Sequence, residues 1–262
     1  MIYREIKSIS FPLGGIGTGC IGLGGNGELK DWEILNRPNK NTRNGYSHFA
    51  IKATYLNKTK VKVLHGDTCD DLMGSSPSPF GYGHGPKRSS LAGFPHFKST
   101  TFDGSFPIAR LTFSDDDFPA VVRLCAFNPF IPHNEFDSSL PAAFFEWEIE
   151  NTADESVEYA LACTVRNPAL SSRNHEILED NVHGIFFETA DKSDTEIGYS
   201  DLCVLTDHED TCVQESWYRG RWQDGPTTYW KDLSEQTRMP TRHYTEPGKE
   251  DHGTVVTYVT LP

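Results

Sequence analysis

Apolar and polar side chains alternate with a period of two in the middle of the chain. Between residues 145 and 150, Phe, Trp and Ile alternate with glutamates. Because successive side chains of a strand point to opposite faces, this pattern predicts a half-buried strand with one solvated face. The alternation resumes over 157–165. The polar segment 151–155 between the two runs therefore predicts the turn of a β-hairpin.

Further strands are predicted where β-branched and aromatic residues cluster between turn-forming residues. These strands cover residues 49–55, 60–64, 109–113, 120–127, 182–188, 202–206 and 254–261. Residues 228–237 favour a short helix, and the Gly-, Ser- and Pro-rich stretch 74–95 predicts a long loop. We therefore expect an all-β fold with less than about a tenth helix, well below the usual share. The expected architecture is an antiparallel β-sandwich of two packed sheets, with residues 1–262 forming one domain.

The charge balance narrows the classes of ligand. The chain has 24 Lys and Arg against 37 Asp and Glu, a formal net charge of −13. This balance disfavours nucleic acids and anionic membrane surfaces as partners, and it is compatible with neutral ligands such as sugars. The six cysteines are scattered without metal-ligand spacing, and the first residues do not form a signal peptide. We expect a cytoplasmic protein with reduced cysteines, no metal and no cofactor.

The glycine-rich opening contains two overlapping G-x-G-x-x-G matches between Gly17 and Gly27. A dinucleotide-binding loop needs a helix directly after such a motif, and residues 28–38 have no amphipathic helical pattern. The glycines therefore predict a pair of strands whose backbones approach closely.

Several polar and aromatic groups have both a chemical and a structural interpretation. Glu146 and Glu148 lie at a spacing compatible with glycoside hydrolysis, but their neighbours favour a solvated strand face. Asp115–Asp117 offers oxygen ligands for calcium, although a turn is the commoner role of such a segment. The tryptophans at 217, 222 and 230 predict a sugar-stacking platform or the anchor of a long loop, with similar weight.

Five ordered blocks resemble the N-terminal domain of glycoside hydrolase family 116, the family of non-lysosomal glucosylceramidase and microbial β-glucosidases. The blocks are residues 11–19 (FPLGGIGTG), 27–38 (GELKDWEILNRP), 104–110 (GSFPIAR), 126–132 (AFNPFIP) and 137–141 (DSSLP). The resemblance implies a β-sandwich. It also implies that the catalytic glutamate and aspartate belong to a following helical (α/α) barrel, which we expect to lie outside this chain.

The resemblance thus implies a non-catalytic sandwich domain that supports the active site of a retaining β-glycosidase. Its expected partners are the helical catalytic domain and a β-glucoside-type sugar. No residue of this chain is assigned a catalytic role. The expected substrate-binding residues are Asp31, Trp32, Glu33, Asn36, Arg37, Trp217, Trp222 and Trp230. The expected domain interface is Asn128, Pro129, Phe130, Ile131, Pro132, Asp137, Ser138 and Ser139, within an apolar, proline-rich segment.

Two alternatives remain open at this point. The first alternative is a stand-alone carbohydrate-binding module that uses the aromatic residues of 217–230. The second is a small hydrolase that uses Glu28, Asp31 and Glu33 near Trp32.

The predicted strand 254–261 carries a further expectation, because another strand follows in the resembling family. Without it, the strand would form an exposed edge with Val255, Val256 and Val259 as added apolar surface. We expect self-association through this edge, or its cover by the glycine-rich segment.

Overall fold

The computed structural model describes residues 2–3, 8–67, 86–179, 181–222 and 224–262. Strands make up 45% of this part and helices 8%, in four antiparallel sheets. The fold is all-β and of the antiparallel sandwich class, so the predicted fold class and low helix content are confirmed. The chain forms two compact units. The first consists of Met1–Arg43 and Lys62–Asp154, and the second of Asn44–Val61 and Glu155–Pro262.

The strands and helices are numbered in chain order. The strands are β1 (Ile2–Tyr3), β2 (Ser10–Leu13), β3 (Cys20–Gly24), β4 (Leu29–Glu33), β5 (His48–Tyr55), β6 (Lys58–Val63), β7 (Ser99–Ser105), β8 (Ile108–Ser114), β9 (Ala120–Phe127), β10 (Phe144–Asn151), β11 (Val157–Arg166), β12 (Ser172–Glu179), β13 (Val182–Thr189), β14 (Asp201–Thr206), β15 (Thr211–Gln214) and β16 (His252–Leu261). The helices are α1 (Glu135–Ser138) and α2 (Asp224–Glu235), and one 3₁₀ turn covers Arg88–Ser90.

The first unit contains a five-stranded sheet in the order β1-β7-β8-β9-β10 and a three-stranded sheet in the order β2-β3-β4. Alternate residues of β8 and β9 are buried, as their period-two patterns predict. The three-stranded sheet buries Leu13, Leu23 and Leu29. The ring of Phe11 in β2 lies 6.3 Å from the ring of Phe102 in β7, so aromatic contacts join the two sheets.

The glycines of the opening segment allow backbones to approach within the three-stranded sheet. Gly22 in β3 pairs with Pro12 in β2, and a Cβ atom added to Gly22 would lie 2.2 Å from Ser10 Oγ and 3.1 Å from the backbone carbonyl oxygen of Lys30 in β4. No L side chain fits there without displacing its neighbours. The segment is followed by β4, so the predicted close strand pair is confirmed and a dinucleotide-binding loop is excluded.

The second unit repeats this arrangement of sheet sizes. Its five-stranded sheet has the order β15-β16-β11-β5-β6, and its three-stranded sheet has the order β12-β13-β14. Helix α2 packs Tyr229 and Leu233 into a core with Ala50, Ala162 and Val256 of the larger sheet. These residues supply the apolar contacts that hold α2 on the sheet.

The predicted hairpin between residues 145 and 165 is wrong. Both of its strands exist, but β10 pairs with β9, and β11 pairs with β5 and β16. The chain passes from the first unit to the second between Asp154 and Glu155. The polar turn that precedes β11 therefore separates two units and does not close a hairpin. The hairpin prediction failed because alternation identifies a strand without identifying its pairing partner.

The predicted exposed edge at 254–261 is also wrong. β16 pairs with β11 on one side, while β15 pairs with Thr254–Thr257 on the other. The backbone N–H of Tyr258 donates to the carbonyl of Asp210 at 2.9 Å. Val255 and Val256 are buried. The expected self-association through this edge loses its basis, because the short strand β15 occupies the position and no glycine-rich cover is needed.

The remaining predictions differ from the structure in detail. The predicted helix at 228–237 is observed as α2, which begins at Asp224 and ends at Glu235. Residues 74–85 of the predicted loop 74–95, and Cys69, lie outside the described residues. The five described cysteines are free thiols.

Candidate docking surface

Three loops of the first unit meet at one end of the sheet β2-β3-β4. β2 ends at Leu13, β3 begins at Cys20 and β4 ends at Glu33, so the antiparallel order places loops 14–19 and 34–41 at the same end. A Cβ atom added to Gly19 would lie 2.6 Å from the carbonyl oxygen of Glu33. These two loops therefore touch through their backbones.

The third loop, residues 128–143, is hydrogen-bonded to loop 14–19. Asn128 Oδ1 accepts the backbone N–H of Gly14 at 2.5 Å, and Asn128 Nδ2 donates to the Pro12 carbonyl at 3.1 Å. Farther along, the carbonyl of Ser138 accepts the N–H of Ile16 at 2.9 Å. The two loops are thus fixed to one another at both ends of their contact.

Large apolar side chains point to solvent from these loops and from the neighbouring β7–β8 turn. They form the apolar patch, defined as Ile16, Phe106, Phe130, Ile131, Phe136 and Leu140. The rings of Phe106 and Phe130 are 5.3 Å apart in an edge-to-face arrangement. Adjacent exposed apolar side chains of this kind mark interaction surfaces in soluble proteins.

The turn that carries Phe136 is held by its own side chains. Asn134 Oδ1 accepts the N–H of Asp137 at 3.1 Å, which caps the start of α1. Asn134 Nδ2 donates to Asp137 Oδ2 at 2.5 Å. Ser138 Oγ accepts the N–H of Ile131 at 2.9 Å and donates to its carbonyl at 3.1 Å. These bonds close the segment into a compact turn.

The residues predicted as a domain interface divide into two groups. Asn128 and Ser138 are buried and hold the loops together. Pro129, Asp137 and Ser139 are half-buried, whereas Phe130, Ile131 and Pro132 are exposed. The predicted segment therefore combines buried polar supports with an apolar outer surface.

The predicted substrate residues Asp31 and Trp32 are buried and support loop 34–41. Asp31 has a positive φ of 51° within β4. Its carboxylate accepts the Ser10 hydroxyl and the Asn41 N–H, each at 2.6 Å. Trp32 Nε1 donates to the Leu29 carbonyl at 3.3 Å. Asn36 and Arg37 are the exposed members of the predicted set on this loop.

The other acidic candidates of the first unit form ion pairs. Glu28 is buried, 2.6 Å from Arg43, and it accepts the Asn26 amide at 2.9 Å. Glu33 lies 2.5 Å from Lys40, and the hydrogen bond from Lys40 lowers the pKa of the Glu33 carboxyl. A glycosidase needs one carboxyl group that is protonated and able to donate. The environment of Glu33 opposes this role, and Glu28 is committed to its cation.

The predicted platform of three tryptophans in the second unit is not formed. Trp217 is buried between Tyr229 and His252, with ring centroids at 4.3 and 4.6 Å. Its Nε1 donates to Thr254 Oγ1 at 2.9 Å. Trp230 is partly buried against the same core, whereas Trp222 is 94% exposed. Trp217 therefore has a structural role, because both faces of its ring are covered.

Within the described ranges, no group of three or more His, Cys, Asp or Glu side chains is arranged to hold a metal ion. The helices of the same part of the chain are too short or too polar to cross a bilayer.

Phe106, Phe136 and Ile16 were not among the predicted site residues. Phe136 belongs to the apolar, proline-rich segment that the sequence marks as a surface, and Ile16 is the large apolar residue among the glycines of 14–19. An apolar residue within a turn-forming segment is the available signal, since turns are exposed.

A comparison with known families matches residues 10–262 to the family described as beta-glucosidase 2, glycosyl-hydrolase family 116 N-term. The match includes all three loops of the docking surface, the whole second unit and the first unit from Ser10 onward. The chain belongs to this family of N-terminal domains of family 116 glycosyl hydrolases.

Proposed function

We propose that the chain is a non-catalytic domain of a retaining β-glycosidase of the glucosidase or glucosylceramidase type. In this proposal the apolar patch binds the helical catalytic domain and supports its active site. The observation that carries the proposal is the set of large apolar side chains exposed on hydrogen-bonded loops at one end of the first unit.

The family supports the choice of partner. The family is described as the N-terminal part of family 116 glycosyl hydrolases, and the patch lies within the matched residues. This description supports a further domain of such an enzyme as the partner. Burying apolar surface contributes about 25 cal/mol per Å². The exposed rings of Phe130 and Phe136 therefore favour association with a complementary apolar surface.

A non-catalytic role agrees with the acidic side chains of the same unit. Glu28 and Glu33 are ion-paired, and both oxygens of Asp31 accept hydrogen bonds within the unit. No pair of these carboxyl groups is free to act as nucleophile and acid. This argues against the small-hydrolase alternative.

In this proposal, exposed residues next to the patch make the contact with the sugar. Loop 34–41 carries Asn36 and Arg37, whose side chains are free to reach a bound partner. We propose that they contact a β-glucoside held mainly by the helical domain. The free thiols of the described cysteines agree with a reducing, cytoplasmic location.

The test combines this chain with the separately produced helical domain of a family 116 β-glucosidase. The chain alone should not hydrolyse 4-nitrophenyl β-glucoside, and it should co-elute with the helical domain in gel filtration. Hydrolysis by the chain alone that is lost in Glu28→Gln or Glu33→Gln would overturn the proposal. Separate elution of the two proteins at concentrations of tens of micromolar would overturn it as well.

A carbohydrate-binding module remains the second candidate because Trp222 is 94% and Tyr218 47% exposed. Exposed aromatic rings are suitable surfaces for stacking on sugars. Titration with cellobiose, followed by tryptophan fluorescence, tests this candidate. Saturable quenching that disappears in Trp222→Ala would favour the module, and an unchanged signal would reject it.

A further inference from the structure

We infer that Phe136 is the anchor of the docking surface, and that loop 14–19 holds it in its binding position before the partner arrives. The inference rests on the proposed function. It also states the chemistry of the partner: the helical domain should offer an apolar pocket large enough for one aromatic ring.

The exposure of Phe136 distinguishes it from the rest of the patch. Its side chain is 83% exposed, against 56% for Phe106 and 39% for Phe130. Phe106 and Phe130 also contact each other. Phe136 therefore has the most surface left to bury, and interface energy is concentrated in a few such side chains that fill pockets.

The turn under Phe136 limits the entropy that is lost on binding. Its backbone is closed by bonds from the N–H of Asn134 to the carbonyl of Ile131 at 3.0 Å, and from the N–H of Ser138 to the carbonyl of Asn134 at 3.2 Å. The Asn134 and Ser138 side chains add the bonds described above. A ring carried on a pre-ordered turn binds more tightly than one on a flexible loop, because less freedom is lost.

Loop 14–19 supports this turn at Ser138, Ser139 and Leu140. Ile16 donates its N–H to the carbonyl of Ser138, and Gly15 lies directly against the next two residues. A Cβ atom at Gly15 would lie 2.3 Å from the Leu140 carbonyl oxygen and 2.6 Å from the Ser139 carbonyl carbon. Glycine at position 15 is therefore what allows the loop to reach the turn.

The experiment measures the dissociation constant of the full chain for the immobilised helical domain of a family 116 β-glucosidase. Phe136→Ala should weaken binding by at least tenfold, on the order of the effect of losing an interface hot spot. The control is Ile197→Ala, which removes a side chain that is 97% exposed in the second unit. Both variants should keep the melting temperature of the parent chain, since neither side chain is buried.

Gly15→Ala tests the support from the loop while Phe136 is retained. We expect weaker binding by about tenfold, because the added methyl group must displace the turn. Gly93→Ala is its control, since a Cβ atom there meets nothing within 4 Å. If Gly15→Ala does not fold, Asn134→Ala loosens the same turn by removing the cap of α1 and should weaken binding in the same direction.

The results separate the inference from the proposed function. If the parent chain binds the helical domain and Phe136→Ala binds equally well, Phe136 is not the anchor although docking stands. If the parent chain does not bind, the proposed function fails. Sedimentation of the chain alone as a dimer that Phe136→Ala converts to a monomer would assign the surface to a second copy, and would overturn the inference.

Discussion

One aromatic cluster in the second unit and one group of aromatic side chains in the first are used in opposite ways. In the second unit, Tyr46, Trp217 and Tyr229 pack with His252 into a stacked cluster. In the first unit, Phe130 and Phe136 point to solvent from loops. Both units combine a five-stranded and a three-stranded sheet, so the difference does not arise from the sheet sizes.

The difference arises from what lies over the sheets. Helix α2 brings Tyr229 onto the larger sheet of the second unit and covers Trp217. The aromatic residues of the patch lie in turns that are held by backbone and polar side-chain bonds, so their rings remain uncovered. The aromatic residues of this cluster therefore contribute mainly to folding, and those of the patch are available for binding.

Truncating one aromatic residue in each unit gives the largest expected contrast. Trp217→Ala removes a buried ring and its hydrogen bond to Thr254, and should lower the free energy of unfolding by about 4 kcal/mol. Phe136→Ala should change it by less than about 0.5 kcal/mol, because that side chain is mostly in water. Urea denaturation followed by circular dichroism measures both values. Equal losses in the two variants would contradict the proposed division of roles.

The partners of the buried lysines are a second difference between the units. In the first unit, Lys62 and Asp115 lie 2.5 Å apart, with 8% and 0% of their side chains exposed. In the second unit, Lys52 instead donates to the carbonyls of Gln236 and Thr237. The ion pair, with Lys98 as a further partner, lowers the pKa of Asp115 despite its burial.

Asp115→Ala should therefore destabilise the chain by about 3 kcal/mol, because it leaves Lys62 buried with a weaker partner. The matched control is Glu148→Ala, which breaks an exposed pair with Arg123 and should cost less than about 1 kcal/mol. Urea unfolding at neutral pH measures both. The remaining carboxylate partner of Lys62 is Asp117, 2.7 Å away and 54% exposed, so a loss below 1 kcal/mol in Asp115→Ala would show that Asp117 compensates fully.

Strands were predictable from the sequence where the alternation is strong. The runs at 120–127, 157–165 and 182–188 lie within β9, β11 and β13 with small changes at their ends. Their partners were not predictable in the same way. β10 and β11 are neighbours in sequence but belong to different sheets, because pairing depends on contacts far along the chain.

Short strands were missed for a related reason. β15 contains four residues, too few for a periodic signal, yet it turns β16 from an expected edge into an interior strand. The apolar loop surface was predictable in part, because the 128–141 segment is apolar without alternation. The position of Trp217 was not, since its burial depends on how α2 packs on the sheet.

A smaller expected effect concerns a property that the two units share. Burial lowers the pKa of His65 in the first unit and of His252 in the second, in each case to about 3. The pKa of histidine in an unfolded chain is about 6.5, so below this pH the unfolded state binds more protons than the folded state. Stability is therefore full above pH 6.5 and falls as the pH decreases towards 3. Each histidine should account for a loss of about 1.5 kcal/mol between pH 6.5 and 5.

The variants His65→Gln and His252→Gln test whether the units contribute equally. Each should reduce the loss between pH 6.5 and 5 by about 1.5 kcal/mol, whatever its own stability at neutral pH. The local bonds of the two rings differ. His252 Nε2 accepts the N–H of Tyr46 at 2.9 Å, whereas His65 Nε2 has no hydrogen-bond partner among the described residues. Protonation at Nε2 of His252 removes that acceptor. A larger change of slope in His252→Gln than in His65→Gln would therefore sharpen the comparison of the two units. Urea unfolding at five pH values between 5 and 7 measures the slopes, and slopes that neither variant changes would contradict the assignment to these two histidines.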